Sequence, residues 1–381
     1  MRILINTISA KKYSGGAFQI SQNFLIKTLE HSDIDWYYVT SKDLDEAIGD
    51  KFRQLMGTRY FVFPTQPDFR GTYNLVKREL AVLENEINPD VVYSITAPSY
   101  FRFKHPEVMR FTNPWVTHPN RYSWSMLPVS QKLKTKLYCL IQKRLMKQAD
   151  YFITQTETTK HGILRITGLP DTHCKVVNNV LPAAFNNMDN TPITDEDWIN
   201  IASVGNPVPH KNFDIIPDVI AELISLGFNN IRFHMTIPFG HPMEKVVMGR
   251  LDDLGLGQHI INHGRVTQIE LGEIYRRCQF CFLPTLLEVF SASTVEAMYF
   301  NLPIVATNFP FNAEVLADAA LYYEPQNAKD AARQYARMIS DKELQSTMKG
   351  RMSRQLLLFG DYDAHFNAIK DYLIQVANKA I

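Results

Sequence analysis

Short apolar, β-branched runs alternate with longer amphipathic stretches along almost the whole chain, and this alternation constrains the fold more than any other feature. Parallel strands need crossovers of a dozen or more residues and helices supply them, so repeated strand–helix–strand units specify mostly parallel, doubly wound sheets. Strands are expected at Ile3–Ile5, Trp36–Val39, Tyr60–Phe63, Val91–Ile95, Met109–Thr112, Tyr151–Thr154 and Lys175–Val177, with helices over 18–30, 73–87, 131–147 and 157–167. Residues 181–197 then lose periodicity and fill with Pro, Asn and Asp, the composition of an interdomain linker. The alternation resumes with strands Asn200–Val204, Ile231–Thr236, Ile260–Asn262, Phe280–Leu283 and Ile304–Ala306 and helices over 213–227, 243–254, 268–277 and 293–300. A last helix is expected over 361–379, after a break at Phe359–Gly360.

At 381 residues and 45% apolar, the chain has material for two cores. The expected division is 1–185, 186–360, and a 361–381 helix packing back on the first domain. Ligands in doubly wound sheets bind beyond the carboxyl ends of the strands, so two facing halves predict a site in a cleft between them. The start MRILINTISA lacks the long apolar region of a signal peptide, and four scattered cysteines suit a reducing compartment. A cytoplasmic protein is the expectation.

Net charge is only +1, so no nucleic-acid partner is expected, but the average hides a polarised chain. Residues 108–149 contain eight Lys or Arg and no Asp or Glu. Within that block Leu133, Leu137, Leu140, Ile141 and Leu145 form a helical stripe surrounded by Lys132, Lys134, Lys136, Lys143, Arg144 and Lys147. The plain expectation is a helix with its stripe against the core and a basic outer side. The sharper one is that 131–147 meets an anionic membrane surface, at the inner face of the membrane.

Three segments carry candidate chemistry. Gly15-Gly16 opens the first helix after a long loop, where backbone N–H groups can approach phosphate. In Ser203-Val204-Gly205-Asn206-Pro207-Val208-Pro209-His210-Lys211-Asn212, Lys211 precedes a helix, so its ammonium and the helix start can act on one anion. In the segment from Phe282 to Met298, Glu288 sits in a loop at a strand's carboxyl end, placed for sugar hydroxyls, while Ser293-x-x-Glu296 has the form of a capping box.

Glu288-x7-Glu296, the following Ala297-Met298-Tyr299-Phe300-Asn301-Leu302-Pro303-Ile304-Val305-Ala306 and the later Ala313-Glu314-Val315 resemble glycosyltransferase family 4. The resemblance extends in order to Gly15-Gly16, Val204-Gly205 with Lys211-Asn212, and Lys175 to Val180. It implies a GT-B fold and a retaining, metal-independent enzyme that moves a sugar from a nucleotide diphosphate sugar to an acceptor hydroxyl. It assigns the acceptor to the first domain and the donor to the second, and suggests a glycan or lipid-linked acceptor in cell-surface polysaccharide assembly. By the same resemblance Lys211 neutralises the departing diphosphate and Glu288 binds donor-sugar hydroxyls. Backbone N–H groups around Phe290, Ser291 and Ala292 hold phosphate, Glu296 accepts from the ribose, and His118 faces the reacting sugar.

Two segments depart from the family pattern. Asn206 stands where the family has Arg, so either another base such as His210 or Arg265 compensates or activity is reduced. Val289 and Ser291 stand where it has glycines, adding side chains that would narrow the donor pocket. Alternatives left open are a catalytically weak homologue that only binds, and a GT-B phosphorylase or epimerase. Cys278-x-x-Cys281 has no partner pair at metal spacing and reads as buried thiols, and the Asp-x-Asp pairs read as turns or caps.

Overall fold

The computed structural model describes residues 1–12, 16–63, 72–186, 188–193 and 197–379. They form two compact units, each with one parallel sheet. Unit 1 comprises Met1–His118, Lys134–Val177 and Asp363–Ile381, and unit 2 comprises Pro119–Leu133 and Asn178–Tyr362.

The sheet of unit 1 runs β3-β2-β1-β4-β5-β6-β7, from β1 (Arg2–Thr7), β2 (Asp35–Ser41), β3 (Tyr60–Phe63), β4 (Val91–Ser94), β5 (Glu107–Arg110), β6 (Tyr151–Thr154) and β7 (Cys174–Val176). Its strands read as continuous apolar runs because helices cover both faces. Alternate residues of β1 enter different cores: Ile3 and Ile5 join Phe24, Trp36 and Tyr93, while Leu4 joins Val39, Val76, Leu80 and Val92. The helix Tyr362–Ala377 completes the first of these cores with Phe366, Ile369, Leu373 and Val376. The C-terminal helix thus packs on the N-terminal sheet, as the sequence predicted.

The sheet of unit 2 runs β10-β9-β8-β11-β12-β13, from β8 (Ile199–Ala202), β9 (Ile231–Met235), β10 (Ile260–Asn262), β11 (Phe280–Leu283), β12 (Ile304–Thr307) and β13 (Ala320–Tyr323). One face packs Ile201, Phe233, Phe282 and Val305 on the helices Ile216–Ser225 and Ala328–Ser340. The other packs Ala202, Cys281, Leu283 and Ile304 with Tyr275, Ala297 and Met298. All strand pairs of both sheets are parallel, and the order reverses between β1 and β4 and between β8 and β11. Those reversals are the topological switch points at which doubly wound sheets bind ligands.

Along its described length, the aperiodic 181–197 stretch is bound to unit 2. Phe185 is fully buried and meets Phe300 edge-on at 5.7 Å, and Arg276 pairs with Asp189 at 2.8 Å. A Cβ on Gly272 would lie 2.0 Å from Met188 Sδ, so this glycine admits the strap. Residues 119–133 also belong to unit 2, where Asn120 Nδ2 donates to the Leu286 carbonyl at 2.7 Å.

One expectation is overturned. In the helix Val129–Met146 the residues turned into the protein are Cys139, Gln142, Leu145 and Met146, with Gln142 Oε1 accepting from Asn113 Nδ2 at 2.7 Å. Of the stripe expected against the core only Leu145 turns inward, and the rest faces outward: Leu133 is 66% exposed, Leu137 61%, Leu140 64% and Ile141 40%. Among the described residues no helix is long and apolar enough to cross a membrane.

Candidate functional site

Two loops leave the carboxyl ends of β8 and β11, the neighbouring strands at the unit 2 switch point, and each carries one of the charges singled out in the sequence. The first turns at Gly205, whose φ of +146° disfavours side chains, and a Cβ there would lie 3.9 Å from Lys211 Cε. It continues through a 3₁₀ turn, Pro209–Lys211, to Asn212 in the left-handed region at φ 58°. Asn212 is buried and its Nδ2 donates to the Pro284 carbonyl at 3.2 Å.

The second loop is tied to the first. Leu286 N–H donates to the His210 carbonyl at 2.7 Å, and the Thr285 hydroxyl donates to the same carbonyl at 3.3 Å. Behind it, the Thr307 hydroxyl donates to the Thr285 carbonyl at 2.6 Å, and Asn312 Nδ2 donates to Thr307 Oγ1 at 2.8 Å. These bonds satisfy buried backbone groups that no strand pairs, and they fix the two loops relative to each other.

Their result is a charged cluster. Lys211 Nζ lies 2.6 Å from Glu288 Oε2 and 3.3 Å from Ser291 Oγ, both ions being half-buried. Burial pushes the Glu288 carboxyl up, but the Lys211 ammonium beside it, helped by His210 and the Val289 N–H, brings it below the usual range. Glu288 therefore stays ionised beside Lys211 at neutral pH.

Ser291 is the N-cap of the helix Ala292–Tyr299, yet its hydroxyl makes no cap bond and faces Lys211 instead. The cation therefore stands at a helix start whose first N–H groups lack intrahelical acceptors, which is where an anion binds best. A slot of ≈ 10 Å³ beside it is lined by Val204, Lys211, Pro284, Thr285, Ser291 and Ser293 among others, room for about one water.

The remaining candidates fall in different places. The capping box does not form: Ser293 lies inside the helix and donates to the Val204 carbonyl at 3.4 Å. Glu296, 6% exposed, accepts from the Tyr275 hydroxyl at 2.8 Å. Burial pushes its carboxyl up to about 7, with Tyr275 and Lys211 pulling back. The Phe290 ring is buried with Val289, Val295 and Val315, and its carbonyl accepts from Asn179 Nδ2 at 3.3 Å. Val289 thus adds its side chain to a core and not to the slot. Asn206 is exposed, and so is Arg265, which sits in the loop after β10 and makes no ion pair among the described residues. Burial pushes His210 down to about 4, Glu288 opposing and Lys211 assisting, so it is uncharged at neutral pH.

In unit 1, His118 caps the short helix Pro114–Thr117 beyond the carboxyl end of β5, with its Nδ1 2.8 Å from the Thr117 hydroxyl. Arg165 Nη2 donates to the Thr117 carbonyl at 2.7 Å, anchoring that turn. Gly16 begins the helix Gly16–Lys27, and Gly15 lies outside the described residues. Among the described residues no group of three or more His, Cys, Asp or Glu is placed to hold a metal, and Cys278 and Cys281 are buried free thiols. Tyr275, Thr285 and Asn120 were not singled out in the sequence, and Asn212 was quoted there beside Lys211 without a role. A buried Asn in the left-handed region has no linear signature, and the other three are ordinary core or loop residues until the fold places them.

Comparison with known proteins agrees with this architecture. The crystal structure of HepE from Anabaena, in complex with UDP and glucose, superposes with a TM-score of 0.69 at 16% identity, covering 98% of this chain and 99% of that one. Sucrose-phosphate synthase from Thermosynechococcus elongatus gives 0.71 at 13% identity over the whole of both chains. This likeness establishes the GT-B fold. The O-antigen chain mannosyltransferase RfbU of Salmonella typhimurium is 24% identical over 188 residues, 49% of this chain and 50% of that protein. An uncharacterized glycosyltransferase of Methanocaldococcus jannaschii is 27% identical over 147 residues, 38% of this chain and 39% of that protein. These matches span half or less of the curated relatives' length. The family model described as glycosyl transferases group 1 matches residues 186–354, the segment that holds Lys211, Glu288, Ser291 and Glu296. Through those residues this part of the chain is similar to the glycosyl transferases group 1 family.

Proposed function

We infer that the protein is a retaining glycosyltransferase of the family 4 type, transferring a hexosyl group from a nucleotide diphosphate sugar to an acceptor hydroxyl. The observation that carries this reading is the Lys211–Glu288 pair beside Ser291 at the start of the Ala292–Tyr299 helix, on the unit 2 switch point. A diphosphate suits that place. Lys211 takes its charge, and the N–H groups of Ser291 and Ala292 approach its oxygens. Glu288, released from Lys211, accepts from sugar hydroxyls, while the free oxygen valences of Glu296 receive the ribose.

In the transfer, the acceptor oxygen bonds to the anomeric carbon as the bond from that carbon to the diphosphate breaks. The diphosphate leaves with the electron pair and takes the acceptor proton, on the same face of the sugar. Lys211 and the helix start stabilise charge that grows on the leaving group, which is the interaction that accelerates the step. We assign acceptor recognition to unit 1, with His118 the residue nominated there, and a glycan or lipid-linked acceptor at the inner face of a membrane. The activity of RfbU and the ligands of HepE support the choice of reaction class.

The test is a panel of UDP, GDP, dTDP and ADP sugars scored by thermal shift and by slow nucleotide release. One donor is expected to stabilise the protein and release nucleotide, and Lys211→Ala to abolish both. Stabilisation by none of them would overturn the reading.

A further inference from the structure

We propose that the outer face of the Val129–Met146 helix is a docking surface for an anionic lipid bilayer, on which the helix lies flat. An amphipathic helix on a folded protein normally turns its apolar stripe inward. Here the protein side is held by Cys139, Gln142, Leu145 and Met146, and the apolar stripe is left outside. Val129 (74% exposed), Leu133, Leu137 and Leu140 follow one another at intervals of four, four and three residues, one above the next along the helix. Ile141 and Tyr138 widen the stripe at 40% and 50% exposure. Single exposed leucines are ordinary, but a continuous row of them marks an interaction surface.

Charge identifies what covers it. On a helical projection Lys132, Lys136 and Lys143 lie to one side of the row, Lys134 borders the other, and Arg144 lies within it. The helix itself carries five cations and no Asp or Glu, and the acid-free stretch continues from 108 to 149. A second copy of the same surface would bring like charges together. Nucleic acid would use the cations and leave the leucines in water. A bilayer with anionic headgroups uses both: the row enters the acyl boundary while the Lys and Arg stems reach back to the phosphates. Eighteen residues make a helix about 27 Å long, and its charges keep it at the interface and not across it.

The probe is sedimentation with vesicles of phosphatidylcholine alone or mixed with phosphatidylglycerol. The protein is expected to pellet only with the mixed vesicles, and less as salt rises from about 0.05 M to about 0.5 M. Replacing Lys136 and Arg144 by Gln should lower partitioning about fivefold per cation removed. Leu137→Gln with Leu140→Gln keeps every charge and should lower it at least tenfold. All four side chains are exposed, so each variant is expected to keep its circular dichroism and melting temperature. Lys211→Ala should pellet like the unaltered protein, which separates this surface from the candidate transfer site. Equal retention on neutral and anionic vesicles, unchanged binding by the leucine variant, or a dimer in solution that Leu137→Gln dissolves would each overturn the proposal.

Discussion

Lys211 Nζ and Glu288 Oε2 stand 2.6 Å apart although 77 residues separate them, because β8 and β11 are adjacent where the strand order reverses. On the proposed reading, the pair fills in advance the position where a phosphate and a sugar hydroxyl would be distinguished. Each ion also holds the other in a half-buried place it could not occupy alone.

Lys211→Ala is therefore expected to reduce stability as well as donor binding. Glu288 has a depressed carboxyl, so its contribution is present above the ordinary carboxylate pKa and is lost as pH falls through the folded value. In Lys211→Ala that contribution disappears, a loss of about 1–2 kcal/mol at pH 7, discounted for the partial exposure of both ions. Urea denaturation at pH 7 and pH 4 checks it: the difference between the variant and the unaltered protein should shrink at the lower pH.

Two buried carboxyls work in the opposite sense. Glu107 in unit 1 is 1% exposed and pushed up to about 7 by burial, despite the Ser94 hydroxyl donating to its Oε1 at 2.5 Å. Glu296 is also pushed up to about 7. A raised carboxyl means the folded state binds more protons than the unfolded one, so stability falls as pH climbs from about 4.5 to about 7. Glu107→Gln should flatten that decline by an amount on the order of 2–3 kcal/mol, read from denaturation midpoints at pH 5 and pH 8.

Gly205→Ala places a side chain on a backbone at φ +146° and within 4 Å of Lys211 Cε and Phe213 Cζ. Loss of about 1–3 kcal/mol is expected, with a larger proportional loss of nucleotide binding than Gly240→Ala produces. Gly240 also has positive φ, at 78°, but nothing lies within 4 Å of its Cβ position, so it reports the backbone cost alone.

Asn206 leaves the switch-point loop with one ammonium, since His210 is uncharged above about pH 5, its pKa lying near 4. Asn206→Arg should raise donor affinity or transfer rate about tenfold through a second charge-assisted contact to phosphate. His210→Gln should leave the pH profile between 6 and 8 unchanged. Arg265→Ala distinguishes the remaining case: a loss in kcat makes Arg265 the compensating cation, and no change leaves Lys211 alone in that role.

The strand pattern was legible because buried parallel strands are unbroken apolar runs: β3, β6, β10 and β11 coincide with their sequence prediction to the residue. β5 begins earlier than expected, at Glu107, because a carboxylate does not read as strand interior until Ser94 is seen beneath it. β13 was missed altogether. Ala320–Tyr323 is a four-residue run after an alanine-rich turn, and its strand character comes only from pairing with β12.

The site divides in the same way. Lys211 and Glu288 were legible as charges at loop positions that local structure did not need, whereas Glu296 carried a capping signature that its tertiary contact with Tyr275 superseded. The Val129–Met146 helix shows where periodicity ends as an argument. Its stripe was read correctly as a face, but the direction of a face depends on what the partner elements offer, and Asn113 and Trp115 select the side bearing Gln142 and Cys139.

The packing of Phe366, Ile369, Leu373 and Val376 on Ile3, Phe24 and Trp36 also sets a timetable. During synthesis the first strands emerge long before the helix that closes their core, while residues 178–362 are complete earlier than that helix. The half of the protein made first is therefore finished last, and its apolar face stays open until Tyr362–Ala377 is available to pack on it.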